Sequence, residues 1–291
     1  MKLTGVMPAL VTPFDDKGKI DFNKFEKLLH KLRADGVKGW VPCGSTGEYN
    51  ALTMEERASV LKFVAAFANK DELLIAGTNA GSTWEVIEHT RRARELGYTA
   101  VLLSAPFYAT PAPDELIAHY RSVLDAVDVE LVLYNYPPKV GVEVGLEVLE
   151  AFKDDKRVIG IKESSGNLLR AIDIRSRFGD RYQLTNGSDD QTLDFFLWGA
   201  TSWICGPANC MAKACVDLVN TIESGNWLAA RDKMQVIYGA MASLESGKFV
   251  QKVKYGCELA GTPVGVGREP LLPLTAEEKS AFCRAMEPVL G

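Results

Sequence analysis

The chain has 291 residues, 47% of them apolar and 24% charged, and carries a formal net charge of −5. Such a make-up suits a globular enzyme with a sizeable core, long enough for one large α/β barrel or two medium domains. The acidic balance gives no support to a nucleic-acid or membrane-surface partner. No apolar run reaches membrane-span length and Met1-Lys2-Leu3-Thr4-Gly5 lacks a signal-peptide profile, so the cytoplasm is the expected location.

In chain order, β-type runs fall at 5–10, 39–42, 73–77, 100–104, 130–135, 158–162, 182–186 and 202–206. Most are continuously apolar, as parallel strands covered on both faces are. Helical periodicity lies between them. Val60, Phe63, Val64 and Phe67 share one face, as do Leu116, Tyr120, Val123, Leu124 and Val127. Thr53 with Glu56 and Ser82 with Glu85 have capping-box spacing. Gly36, Gly97, Gly179 and Gly199 stand between a helix and the next strand, where a left-handed C-cap is needed. Eight β-then-α units predict an α/β fold, a (β/α)₈ TIM barrel over residues 1–225. A doubly wound sheet is the runner-up, but no GxGxxG follows the first strand. The strand signal then stops. Residues 226–291 are expected to form a small C-terminal helical domain with helices at 227–243, 248–260 and 276–289, packed on the barrel or on a neighbouring subunit.

The six cysteines are scattered without a CxxC pair and read as reduced core thiols; His30, His89 and His119 lie on helices without partners at ligand spacing. No metal site is predicted.

In a βα-barrel the active site lies at the C-terminal ends of the strands. Lys162 ends the sixth, where Glu163-Ser164-Ser165-Gly166-Asn167 follows. An amine partly withdrawn from water has a lowered pKa, and in its neutral form it attacks a ketone to give a Schiff base. Alone, such a lysine is more often just the first solvated residue past a strand. Other strand ends add to the same rim. Gly44-Ser45-Thr46-Gly47-Glu48 offers either an anion nest of backbone N–H groups or a self-satisfied polar turn. Tyr134 is a proton donor or acceptor, or an aromatic barrel residue with a satisfied hydroxyl. Asp189 and Asp190 hold substrate hydroxyls or form a solvated turn, and Lys139 pairs with a carboxylate or lies on the surface. Together these are the parts of a Schiff-base lyase.

Three segments, Gly44-Ser45-Thr46-Gly47-Glu48, Tyr134-Asn135-Tyr136-Pro137 and Ile159-Gly160-Ile161-Lys162-Glu163, resemble the signatures of the dihydrodipicolinate synthase / N-acetylneuraminate lyase family, and the resemblance spans the whole chain. It implies a barrel enzyme without metal or organic cofactor, commonly a homotetramer built as a dimer of dimers. By resemblance, Lys162 forms the imine with pyruvate or a longer 2-oxo acid, and Tyr134 shuttles protons. The N–H groups of Ser45 and Thr46 bind the carboxylate. Ser45 links Tyr134 to Tyr108, which in relatives reaches in from the neighbouring subunit, and Ile204 matches a position whose backbone lies close to the lysine. Lys139 stands where the synthases of lysine biosynthesis usually carry arginine. Ser45-Thr46 and Asn186-Gly187-Ser188-Asp189-Asp190 are closer to the lyase pattern, which puts Gly187, Asp189 and Asp190 against substrate hydroxyls.

The expected activity is therefore a class I lyase acting on pyruvate or a small hydroxylated 2-oxo acid. Aldol cleavage, dehydration and deamination share the enamine stage and stay open. A true 4-hydroxy-tetrahydrodipicolinate synthase, condensing pyruvate with aspartate semialdehyde, is the closest alternative. A barrel isomerase of phosphorylated substrates has only Gly187-Ser188 and Gly206-Pro207 as a weak phosphate cup, and a catalytically silent binding relative is at odds with the intact lysine and tyrosine.

Overall fold

The computed structural model describes residues 1–290. Its strands are β1 (Gly5–Pro8), β2 (Gly39–Trp40), β3 (Leu73–Gly77), β4 (Ala100–Ser104), β5 (Glu130–Asn135), β6 (Val158–Glu163), β7 (Gln183–Asn186) and β8 (Ser202–Cys205). All neighbours run parallel, in the order β1-β8-β7-β6-β5-β4-β3-β2. A bridge between Ala9 and Val41 joins the two ends and closes a (β/α)₈ barrel.

The barrel helices are α1 (Phe22–Ala34), α2 (Met54–Phe67), α3 (Thr83–Glu95), α4 (Pro113–Ala126), the short α5 (Pro137–Val140) and α6 (Leu146–Ala151), α7 (Leu168–Phe178), α8 (Thr192–Leu197) and α9 (Ala208–Glu223). Then follow α10 (Trp227–Glu245), α11 (Phe249–Leu259) and α12 (Ala276–Leu290), with α10 and α11 resting on α9. Two apolar layers form. Met7, Val41, Ile75, Leu102, Val132 and Ile204 fill the barrel interior. A larger layer between strands and helices takes the opposite strand faces, with Val60, Val64, Leu116 and Val123 among its helical members.

Several local expectations hold. Thr53 and Glu56 form a reciprocal capping box, and Gly36, Gly97, Gly179 and Gly199 all have positive φ, although Gly179, at ψ −125°, is not in the left-handed helical conformation. Five cysteines are buried and none is in a disulfide. His89 faces the Arg57 guanidinium at 2.8 Å and His119 meets the Thr83 hydroxyl at 2.9 Å, so both are packing residues.

Other expectations need correction. Ser82 does not cap α3; its hydroxyl donates to the Glu85 carboxylate instead, at 2.7 Å. β1 and β2 are shorter than 5–10 and 39–42 because proline cannot donate to a ladder. Pro8 only accepts, from Val41 N at 3.2 Å, and after Pro42 the chain turns away through Cys43 at φ 58°.

Candidate active site

At the C-terminal ends of the strands lies a cavity of about 420 Å³, and Lys162, Tyr134, Ser45, Thr46, Asp189 and Ile204 all line it.

Lys162 reaches that cavity through an irregularity in β6. Leu131 pairs with Val158, but the next residue, Val132, pairs with Gly160, so Ile159 is an extra residue on β6. A bulge of one residue reverses the side-chain parity beyond it. Val158 and Ile161 accordingly belong to the outer layer while Ile159 points inward. Lys162 pairs with Tyr134 in the ladder, and both side chains face the interior. The ammonium nitrogen sits 4.4 Å from the centre of the Tyr134 ring.

The surroundings of Lys162 hold it in place. Glu163 turns the other way and is fully buried, accepting from Asn135 Nδ2 at 2.8 Å, Arg170 Nε at 3.0 Å and Ser165 N at 2.7 Å. The Ser164 hydroxyl donates to the Gly187 carbonyl at 2.8 Å. Gly187 has no room for a side chain, since a Cβ there would lie 2.0 Å from Ser164 Oγ and 2.6 Å from Lys162 Cε. That fixes the residue type at 187 by contact with the lysine itself.

Lys162 is only 6% exposed, and among the described residues its nitrogen has no hydrogen-bonding or ion-pair partner. Burial pushes its pKa below the ordinary lysine value, with the Asp189 carboxylate opposing. Burial, and next Glu245, push Asp189 above the usual carboxylate range; Lys162 and the 2.8 Å bond from Trp203 Nε1 pull the other way. Tyr134 is raised well above a normal phenol by burial, against hydrogen bonding to Ser164 and Ser45. It is a neutral O–H over the working range. Tyr136 stacks on it with ring centres 5.7 Å apart.

The loop after β2 is wound so that Gly47 N donates to Gly44 O and Glu48 N to Ser45 O, at 3.0 and 3.1 Å. Among the described residues the N–H groups of Ser45 and Thr46 have no acceptor within the protein. Two adjacent free donors on the cavity wall form a seat for an anion.

The remaining predicted residues are placed unevenly. Gly187 and Ile204 line the cavity, and Lys139, exposed on α5, stands at its mouth. Of the acidic pair, Asp189 faces the cavity, whereas Asp190 lies outside the lining, next to Glu245. Tyr108 is 96% exposed, with φ 71°, and does not line the cavity of its own chain.

Glu245 and Phe249 are among the lining residues not singled out from sequence. Glu245 ends α10, and partial withdrawal from water, then Asp190, raise its carboxyl, with Lys162 and Lys139 opposing. Phe249 follows at the start of α11. Neither lies near a motif; only the packing of α10 against the segment Asp189–Gln191 brings the tail to the rim.

Among the described residues, no group of three His, Cys, Asp or Glu is arranged to hold a metal ion, and no helix is long and apolar enough to cross a membrane.

Comparison with known proteins agrees over the whole chain. A 4-hydroxy-tetrahydrodipicolinate synthase of Methanothrix thermoacetophila is 34% identical over 281 residues, covering 95% of this chain and 93% of that protein. The crystal structure of a dihydrodipicolinate synthase from Bacillus anthracis superposes with a TM-score of 0.94 at 28% identity, covering 99% of this chain and 98% of the other. A chloride-inhibited dihydrodipicolinate synthase from Acinetobacter baumannii, solved in complex with pyruvate, gives a TM-score of 0.95 at 29% identity, covering 99% of both chains. With the profile of the dihydrodipicolinate synthetase family matching residues 2–288, the chain belongs to that family.

Proposed function

We propose that this protein is a class I lyase that forms a Schiff base between Lys162 and pyruvate or a hydroxylated 2-oxo acid. The observation that carries this is the unpartnered, buried amine of Lys162 facing the free N–H groups of Ser45 and Thr46 across one cavity. The substrate carboxylate docks on those two N–H groups, which brings its ketone to the amine. The neutral amine adds to the carbonyl carbon, and the resulting carbinolamine loses water to give the iminium. The Tyr134 hydroxyl, with Ser45 beside it, donates the proton that leaves with that water and shuttles protons at the neighbouring carbon. The iminium draws electrons toward nitrogen, so loss of a proton or a fragment from that carbon leaves a stable enamine. The reaction therefore calls for neither metal nor organic cofactor. Gly187, Asp189, Ile204 and Lys139 form the wall met by the second reactant or leaving group, with Asp190 behind them.

Tyr108 completes the site of a neighbouring subunit in a cytoplasmic homotetramer. Its exposure supports this, as does the γ-turn that presents it, closed by Ala109 N donating to Phe107 O at 2.9 Å with Tyr108 at φ 71°. The exposed apolar side chains of Leu169 on α7 and of Leu197 and Trp198 at the end of α8 support a second interface.

One specific reading within this mechanism is favoured by the naming of relatives such as that of Methanothrix thermoacetophila: condensation of pyruvate with aspartate semialdehyde. Lys139 at the mouth would then take the second carboxylate as a point charge. Borohydride added with pyruvate is expected to leave a reduced pyruvyl adduct on Lys162, located by peptide mass spectrometry. Absence of an adduct with every 2-oxo acid tried would sink the mechanism. A strong rate with aspartate semialdehyde would select the synthase, and a weak one a lyase of a hydroxylated 2-oxo acid.

A further inference from the structure

Lys254 and Glu48, a buried ion pair with no part in the steps above, connect the helical tail to the carboxylate-binding loop. Glu48 ends that loop at φ 58° and belongs to the cavity lining, with its side chain 2% exposed. Lys254 on α11 is just as buried, with Nζ 2.6 Å from Glu48 Oε1. Lys254 also donates to the Val266 carbonyl at 3.0 Å. The Lys254 nitrogen also sits 4.1 Å from the centre of the Phe14 ring. Glu48 Oε2 accepts from the backbone N–H of Arg268 at 2.8 Å. The Arg268 side chain then donates to the carbonyls of Gly18 and Ala51, at 2.8 and 2.7 Å, and pairs with Glu56. On the barrel side, Thr12 Oγ1 donates to the Gly47 carbonyl at 2.7 Å.

Stability alone is a poor reason for this arrangement. A buried ion pair is commonly no better than well-packed apolar residues of the same volume, because desolvation offsets the attraction. What the pair supplies is a fixed position. Glu48 N donates to Ser45 O, in the peptide that carries the Thr46 N–H, and its neighbour Gly47 N donates to Gly44 O, in the peptide that carries the Ser45 N–H, so a displacement of this segment moves both.

We propose that Lys254 and Glu48 are positioning residues, through which the C-terminal helical segment sets the affinity of the Ser45–Thr46 seat for the substrate carboxylate. The proposal rests on the Lys162 imine reading. Lys254→Met alone would strand a buried carboxylate, so the decisive variant is the double substitution Glu48→Gln/Lys254→Met, which removes both charges at similar volume.

The measurement is the pyruvate concentration that half-saturates borohydride trapping on Lys162, taken with the melting temperature. The double variant is expected to melt close to the parent, to reach a full adduct at saturation, and to need about tenfold more pyruvate, as loss of uniform binding predicts. Glu48→Gln alone keeps an acceptor for Arg268 N and drops the charge, while Lys254 retains the Val266 carbonyl and the Phe14 ring; about threefold is expected there, and it carries the test if the double variant does not fold. An unchanged half-saturation in either folded variant overturns the proposal while leaving the imine reading intact. A parent that gives no adduct on Lys162 overturns both.

Discussion

In the proposed mechanism Lys162 acts through its neutral form, and burial decides how much of that form exists. Because the charged amine is the species penalised by burial, the neutral fraction rises with pH through a midpoint below that of an ordinary lysine. The rate of imine trapping is therefore expected to climb from acid pH and level off before the range where a free lysine titrates. A stopped-flow or quench series between pH 6 and 11, roughly the span over which lysines titrate in proteins, checks this; a rate still climbing at the top would mean the amine is solvated. The sign for stability is the same: the folded pKa is depressed, so this group's contribution is fully present above the unfolded value and is lost as pH falls through the folded one. The lysine was legible in the sequence as the end of an apolar strand. Glu245 was not, because it is a polar residue on an unremarkable stretch of α10, and only its place at the cavity mouth gives it meaning.

The decisive element is β6. Simple alternation from Val158 would put Lys162 on the same face as Val158, in the helix-facing layer, whereas the extra residue Ile159 turns it into the barrel. Gly160 follows the bulge where β6 and β7 are in close contact, and a Cβ there would lie 2.4 Å from the Gln183 carbonyl. Gly160→Ala is thus expected to force the two strands apart and to cost about 1–3 kcal/mol, as overpacking does. Thermal denaturation measures the loss. An unchanged melting temperature would show that β6 slides freely against β7. The eight strands themselves were readable because fully covered parallel strands are continuous apolar runs. The bulge was not, since such a run carries no alternation whose break could be seen.

At the scale of the whole molecule, Tyr108 makes the most specific demand. An exposed tyrosine held at φ 71° is costly within one chain and intelligible if a second chain receives it. Tyr108→Phe is expected to lower kcat by about a hundredfold, the scale of a lost proton-relay group. Mixing that variant with Lys162→Ala and allowing subunits to exchange should then restore activity. A subunit with an intact lysine receives an intact tyrosine from its partner. No gain on mixing would mean that Tyr108 serves its own chain or none.

Apolar runs, caps and glycine punctuation determined the barrel and the helical tail, and three short segments carried the family resemblance, because each depends on local periodicity or on residue types close together in the chain. Tertiary structure alone decided three things: the face of β6 on which Lys162 emerges, the arrival of Glu245 at the rim, and the pairing of Glu48 with Lys254. All three depend on register and on contacts between distant segments. Those contacts exist only once the barrel has closed and the tail has packed against it.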